Sequence, residues 1–137
     1  MASRGWERAT EADVRDRRAP KKASKYRNVK VVIDGIVFDS KREAARYQEL
    51  VVLLKAGHIR ALCCQMPFRL LAPVYFHGVP HGDFVSVAEY LADFTYEERV
   101  GTEWKEVVED VKGVRGAIYR LKSKWMFLQY GIQIRET

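Results

Sequence analysis

A chain of 137 residues, 47% hydrophobic, suits one domain with a single core, and no apolar run approaches the roughly 20 residues of a membrane span. The N-terminus is charged throughout and lacks the apolar block of a secretory signal, so a soluble, cytoplasmic protein is expected. The net charge is +6, and Met1 to Asn28 supplies +5 of it (nine Lys and Arg against four Asp and Glu), so the basic excess is an arm rather than a general surface property.

Residues 1–23 have weak periodicity and then the run Arg17-Arg18-Ala19-Pro20-Lys21-Lys22, which breaks any helix. Such an arm meets phosphate backbones by releasing counterions, or is simply a solvated tail. Lys25-Tyr26-Arg27 leads into a single domain over 24–137, and a tyrosine between two cations suits a phosphate or base. Val29 to Ile33 and Ile36 to Phe38 flank Asp34-Gly35, a strong hairpin signal. Ser40-Lys41-Arg42-Glu43 then opens a helix as a capping box, which gives Glu43 a structural reason to be there. That helix is expected to reach about Ala56, burying Ala44, Tyr47, Val51 and Leu54, with Gly57 as its stop.

Ile59 to Leu71 reads as a long strand, with Pro67 marking an edge or a bulge. Cys63 and Cys64 are adjacent on it, point to opposite faces, and read as small buried residues in a reducing compartment. Pro73 to Asp83 is expected to be a loop, and its His77 and His81 lack the further ligands a zinc site needs. Phe84 to Tyr96 is a second long strand with Asp93 set among apolar neighbours, where a carboxylate needs a facing cation. Glu97 to Thr102 is a polar turn. A short buried strand, Glu106 to Gly113, then ends in Asp110-Val111-Lys112, with Asp110 and Lys112 on one face and Glu109 on the other. An ordinary ion pair explains such an acid and lysine; so does metal-assisted phosphodiester hydrolysis, in which the acid holds Mg²⁺ and the lysine steadies a water. Asp93 and Asp110 fall near facing positions of adjacent antiparallel strands, so their side chains can converge on one ion. A helix from about Ala117 to Tyr130 follows, with the apolar stripe Ile118, Leu121, Trp125 and Leu128, and Ile132 to Ile134 is a closing strand.

The order of these elements, with Glu43 on the first helix, Asp93 on a strand and Asp110-Val111-Lys112 on the next, resembles the catalytic core of the PD-(D/E)XK nuclease superfamily. Within it, Tyr90-Leu91-Ala92-Asp93-Phe94 and Val108-Glu109-Asp110-Val111-Lys112-Gly113 look like the small phage-encoded Holliday junction resolvases. The family's proline before the first acid is Ala92 here, and its commoner glutamate is Asp110. The resemblance implies an α/β fold with a restriction-endonuclease-like α-β-β-β-α-β core, a mixed central sheet flanked by helices, preceded by the hairpin and the basic arm.

The resemblance further implies a Mg²⁺-dependent endodeoxyribonuclease, with Mn²⁺ as a substitute, that resolves four-way DNA junctions as a homodimer in the cytoplasm of a phage host. Asp93 and Asp110 would be metal ligands, the Val111 carbonyl would complete the shell, Glu43 would hold a water or a second ion, and Lys112 would orient the attacking water. Three acidic side chains would then meet about one divalent cation. DNA contacts are expected from Arg17, Arg18, Lys21, Lys22, Lys25, Tyr26 and Arg27, and from Arg115, Arg120 and Lys124 near the last helix. Two other readings remain open: a DNA-binding module that keeps the fold without the chemistry, and a nuclease of this fold acting on nicked, flapped or linear DNA.

Overall fold

The computed structural model describes residues 29–137, in the order β1 (Val31–Ile33), β2 (Ile36–Phe38), α1 (Lys41–Lys55), β3 (Ile59–Phe76), β4 (Val79–Val100), β5 (Glu103–Asp110), α2 (Ala117–Tyr130) and β6 (Arg135–Glu136). The basic arm, with Arg17, Arg18, Lys21, Lys22, Lys25, Tyr26 and Arg27, lies outside the described residues. From α1 onward the order is α-β-β-β-α-β, in an α/β fold with one mixed sheet and two helices.

Local chemistry explains the first elements. Asp34 and Gly35 take φ of 52° and 76°, the pair of left-handed residues that a two-residue hairpin turn requires. At the start of α1 the Glu43 N–H donates to Ser40 Oγ at 3.2 Å, and the Glu43 carboxylate accepts the Asp39 N–H at 3.1 Å. The cap is therefore reciprocal, as the Ser-x-x-Glu spacing predicts. The buried face of α1 is Ala44, Tyr47 and Leu50. The expected Leu54 is instead partly exposed at the rim of a depression beside the hairpin, because the helix face has rotated past the sheet by its last turn.

The sheet runs β3-β4-β5-β6, antiparallel except for the β5–β6 pair, and α2 supplies the crossover that a parallel pair requires. Its two faces carry separate cores. Ala44, Tyr47 and Leu50 of α1 pack with Phe94, Tyr96 and Val107. Met126 of α2 packs with Leu70, Tyr90, Ala92 and Val108. Adjacent Val107 and Val108 fall in different clusters, so each helix covers one face.

Several expectations are corrected. Pro73 to Asp83 is no loop: β3 continues to Phe76, His77-Gly78 makes a tight turn with φ of 50° and 80°, and β4 returns from Val79. Pro67 and Pro73 are tolerated because, among the described residues, β3 is an edge strand with no ladder partner on its outer side. The turn expected over Glu97 to Thr102 shrinks to Gly101-Thr102, since β4 stays paired with β5 as far as Val100 and Glu103. The closing strand is Arg135–Glu136; Ile132 and Ile134 pack beneath α2 instead. Cys63 is exposed and Cys64 half-buried, because β3 is covered there only on the α1 side.

The largest correction concerns α2. Of the expected stripe only Trp125 packs inward, whereas Ile118 is 72% and Leu128 81% exposed, and Leu121 is exposed as well. The helix is fixed through Met126 and through polar tethers to the edge strand. Trp125 Nε1 donates to the Leu71 carbonyl at 3.1 Å, Gln129 Oε1 accepts the Leu71 N–H at 2.8 Å, and the Tyr130 hydroxyl donates to the Arg69 carbonyl at 2.6 Å. Among the described residues no helix is long and apolar enough to cross a membrane.

Candidate functional site

β5 positions the site. Its last four residues, Val107 to Asp110, are all buried. Alternation turns Val107 and Glu109 toward α1, and Val108 and Asp110 toward α2. A core strand thus presents one carboxylate to each face, and the two are treated differently.

Glu109 is completely buried, and every donor it needs is present. Arg46 on α1 grips it with Nε at 2.6 Å and Nη2 at 3.0 Å, the Tyr96 hydroxyl donates at 2.6 Å, and the Thr137 hydroxyl at 3.1 Å. Burial alone would push its carboxyl up; the guanidinium and the two hydroxyls outweigh that and hold it below the usual carboxylate range. This is a structural clasp that ties α1 to the sheet.

Asp110, 1% exposed, is less well satisfied. The Tyr90 hydroxyl donates to Oδ2 at 2.6 Å, but Oδ1 makes no hydrogen bond. The Lys112 ammonium lies 2.9 Å from Oδ1 and supplies charge without hydrogen-bond alignment. Lys112 is itself steadied, lying 4.6 Å above the centre of the Tyr119 ring, while the Tyr119 hydroxyl donates to Glu136 at 2.9 Å.

Asp93 reaches the same place from β4. The β4–β5 ladder begins at Phe94 opposite Glu109, so Asp93 sits at the fork where the two strands part. Side-chain alternation also reverses there. Tyr90 and Ala92 belong to the core under α2, yet Phe94 and Tyr96, of the same parity, belong to the core under α1. Across the sheet Gln65 takes a φ of 55°, and its side-chain amide donates to the Val37 carbonyl at 2.7 Å, which ties the N-terminal hairpin to β3. This irregularity frees Asp93 from the regular pleat and aims it toward Asp110. The Val111 N–H donates to Asp93 Oδ2 at 2.7 Å. Burial pushes the Asp93 carboxyl up to about 7; the Val111 N–H opposes the rise, and the Asp110 charge, a side-chain hydrogen bond shared with Asp110 and the Glu43 charge add to it.

The structure therefore brings Asp93, Asp110, Val111 and Lys112 together, and leaves Glu43 at the edge of the group. The Glu43 carboxylate is engaged by its own helix cap, with Ser40 Oγ donating at 2.9 Å, though its charge still reaches Asp93. Among the described residues no three His, Cys, Asp or Glu side chains are grouped closely enough to share one ion. His81 sits 2.9 Å from Asp83, away from this group in the β3–β4 hairpin.

Mg²⁺ suits what is present. It keeps most of its waters and is held by one or two carboxylates together with substrate phosphates, rather than by a full protein cage. Two carboxyl groups brought side by side at a buried strand fork form such a donor set. Asp93 and Asp110 would hold the ion, with the Val111 backbone adjoining.

Beside the site, Arg115, Arg120 and Lys124 line one shallow depression of about 600 Å³ with Tyr119, Ser123 and Glu136. Arg115 is paired with Glu136, while Arg120 and Lys124 are exposed. Sequence reasoning missed Tyr90, Tyr119, Arg46, Tyr96 and Thr137. A buried acid beside valines does signal a missing cation, but the strand alone does not say which helix brings it. For the tyrosines the sequence carries no signal of where a hydroxyl points.

A family model described as protein of unknown function (DUF1064) matches residues 23–137, and the chain belongs to that family. No curated protein and no solved structure matches the chain.

Proposed function

We propose that this DUF1064 protein is a metal-dependent endodeoxyribonuclease with a restriction-endonuclease-like core, acting on branched DNA as a Holliday junction resolvase does. One observation carries the reading: the buried Asp110 carboxylate at a strand fork, with the Asp93 carboxyl beside it and the Lys112 ammonium 2.9 Å from its Oδ1.

A bound Mg²⁺ would neutralise charge on the scissile phosphate and make an attacking water more acidic. The chain's own residues divide the remaining work. Asp93 and Asp110 hold the ion, and the Val111 N–H fixes the Asp93 carboxylate. Lys112, beside Asp110 Oδ1 and over the Tyr119 ring, would orient a water and face the phosphate. Arg120 and Lys124 hold a neighbouring stretch of DNA backbone, and the basic arm adds a second grip. Glu43 acts through its charge and through any water it holds, its carboxylate being shared with the cap.

The exposed apolar residues of the β3–β4 hairpin, among them Phe76, Val79 and Phe84, and of α2, Ile118 and Leu128, support pairing of two copies, which would nick two strands of one junction. A phage-encoded protein working in the host cytoplasm fits this reading. The test is to incubate the full chain with labelled four-way, flapped, nicked and linear DNA in Mg²⁺ or Mn²⁺. Preferential, paired nicking of the four-way junction is expected. Preference for another substrate would reassign the specificity, and junction binding without cutting in either metal would select a non-catalytic binding module.

A further inference from the structure

The two oxygens of Asp110 are not equivalent, and Tyr90 makes the difference. Tyr90 lies on β4 three residues before Asp93, is 3% exposed, and its hydroxyl donates to Asp110 Oδ2 at 2.6 Å. Its ring is wedged in the core under α2, with Leu70, Ala92, Val108 and Met126, and its centroid lies 6.4 Å from that of Phe68. A hydroxyl fixed by a packed ring holds the carboxylate plane in one orientation. Oδ2 is thereby committed to the protein, and Oδ1, which among the described residues faces a cation rather than an aligned hydrogen-bond donor, is the oxygen left for a metal ion. At present the Lys112 ammonium supplies that positive charge at 2.9 Å.

We propose that Tyr90 is a positioning and metal-selecting residue, which forces Asp110 to bind a divalent ion through Oδ1 alone and so favours Mg²⁺ and Mn²⁺ over Ca²⁺. The proposal rests on the metal-dependent reading above. Its basis is coordination chemistry. Mg²⁺ demands near-octahedral geometry at short range, which single-oxygen carboxylates allow. Ca²⁺ accepts more ligands and readily takes a carboxylate through both oxygens. A hydrogen bond that occupies Oδ2 works against the second mode and leaves the first intact. Removing it lets the carboxylate rotate, which costs Mn²⁺ its fixed ligand and gives Ca²⁺ a wider one. Outer partners of this kind typically change metal affinity by about 10–100-fold.

The experiment titrates Mn²⁺ and Ca²⁺ separately, by calorimetry, into the full-length wild type, Tyr90→Phe and Asp110→Asn, with no DNA present. The wild type is expected to bind Mn²⁺ more tightly than Ca²⁺. Tyr90→Phe should bind Mn²⁺ about tenfold more weakly while holding or improving its Ca²⁺ affinity, so that the ratio falls at least about tenfold; Asp110→Asn should weaken both. Equal losses of both ions in Tyr90→Phe, or no change in either, would overturn the role of Tyr90 and leave the metal site standing. A wild type that binds neither ion, whether alone or with junction DNA added, would remove the metal-dependent reading itself. A second measurement needs no variant: in a manganese-soaked crystal the ion should contact Asp110 through Oδ1 only, with the Tyr90 bond kept. An ion chelated by both oxygens would refute the proposal even if Tyr90→Phe fails to fold.

Discussion

Glu109 and Asp110 are neighbours in sequence, both buried at the end of β5, and they face opposite sides of the sheet. Glu109 accepts four hydrogen bonds from Arg46, Tyr96 and Thr137. Asp110 accepts one from Tyr90, and its other oxygen faces the Lys112 ammonium, with the Asp93 carboxyl alongside. Burial is the same; satisfaction is not. An acid whose every oxygen is bonded fastens the fold, whereas an acid held short of that is kept reactive at a cost in stability. On the proposed reading, the two sides of one strand separate what holds the molecule together from where its chemistry would lie.

The largest effect should come from the unsatisfied side. Asp93→Asn or Lys112→Ala is expected to reduce Mg²⁺-dependent DNA cleavage on the order of a thousandfold, since the loss of several kcal/mol of charge stabilisation corresponds to that factor. The folded state and DNA binding should survive, checked by thermal melting and gel shift; cleavage retained in both variants would remove the distinction between the two acids. On the satisfied side the consequence is reversed. Arg46→Ala leaves Glu109 buried without its cation and should cost about 3 kcal/mol, lowering the melting temperature on the order of 10 °C or more. Denaturant unfolding measures this directly, and a loss below about 1 kcal/mol would mean the clasp is not what ties α1 to the sheet.

The two sides should also differ in their pH dependence. Glu109 is held below its ordinary value, so its contribution to stability is present above pH 4.5, the unfolded value, and is lost as pH falls through the folded one. Asp93 is pushed the other way, to about 7 from 3.8, so the folded state keeps a proton that the unfolded state has released. Its contribution is full below pH 3.8 and is lost as pH rises through about 7. Asp93→Asn should therefore raise the melting temperature at pH 8 and have little effect near pH 4. Mg²⁺ should stabilise the wild type more at pH 8 than at pH 5.5, because it binds the ionised form. Thermal melts across pH, with and without Mg²⁺, read both effects. The smallest effect belongs to the outlying cations: Arg120→Ala and Lys124→Ala should each weaken binding across DNA sequences and reduce the salt slope by about one.

Much of this was legible in the amino-acid order. The hairpin at Asp34-Gly35 and the cap at Ser40 and Glu43 follow from local rules of turns and helix starts, and the nearness of Asp93 to Asp110 follows from their places just beyond the last ladder pair, Phe94 and Glu109. The long β3–β4 hairpin was not, because His77-Gly78 is a weak turn signal amid Gly78, Pro80 and Gly82, which read more readily as a loop. The face of α2 was misread for a different reason. Periodicity marks Ile118, Leu121 and Leu128 as an apolar stripe, but it cannot tell whether this chain's own sheet or another surface covers it. Tyr90 was beyond reach, since the aim of a hydroxyl is set by packing from several segments at once.

The most direct test of the site is a single titration of the full-length protein with a synthetic four-way junction, following strand nicks as Mg²⁺ is raised from a chelated zero. Nicks that appear only with the metal, and disappear again on chelation, are expected of the Asp93–Asp110–Lys112 group. An intact junction at every concentration of Mg²⁺ or Mn²⁺, with a protein shown to be folded, would contradict a nuclease centre there and leave Asp110 as an unsatisfied acid in an α/β domain.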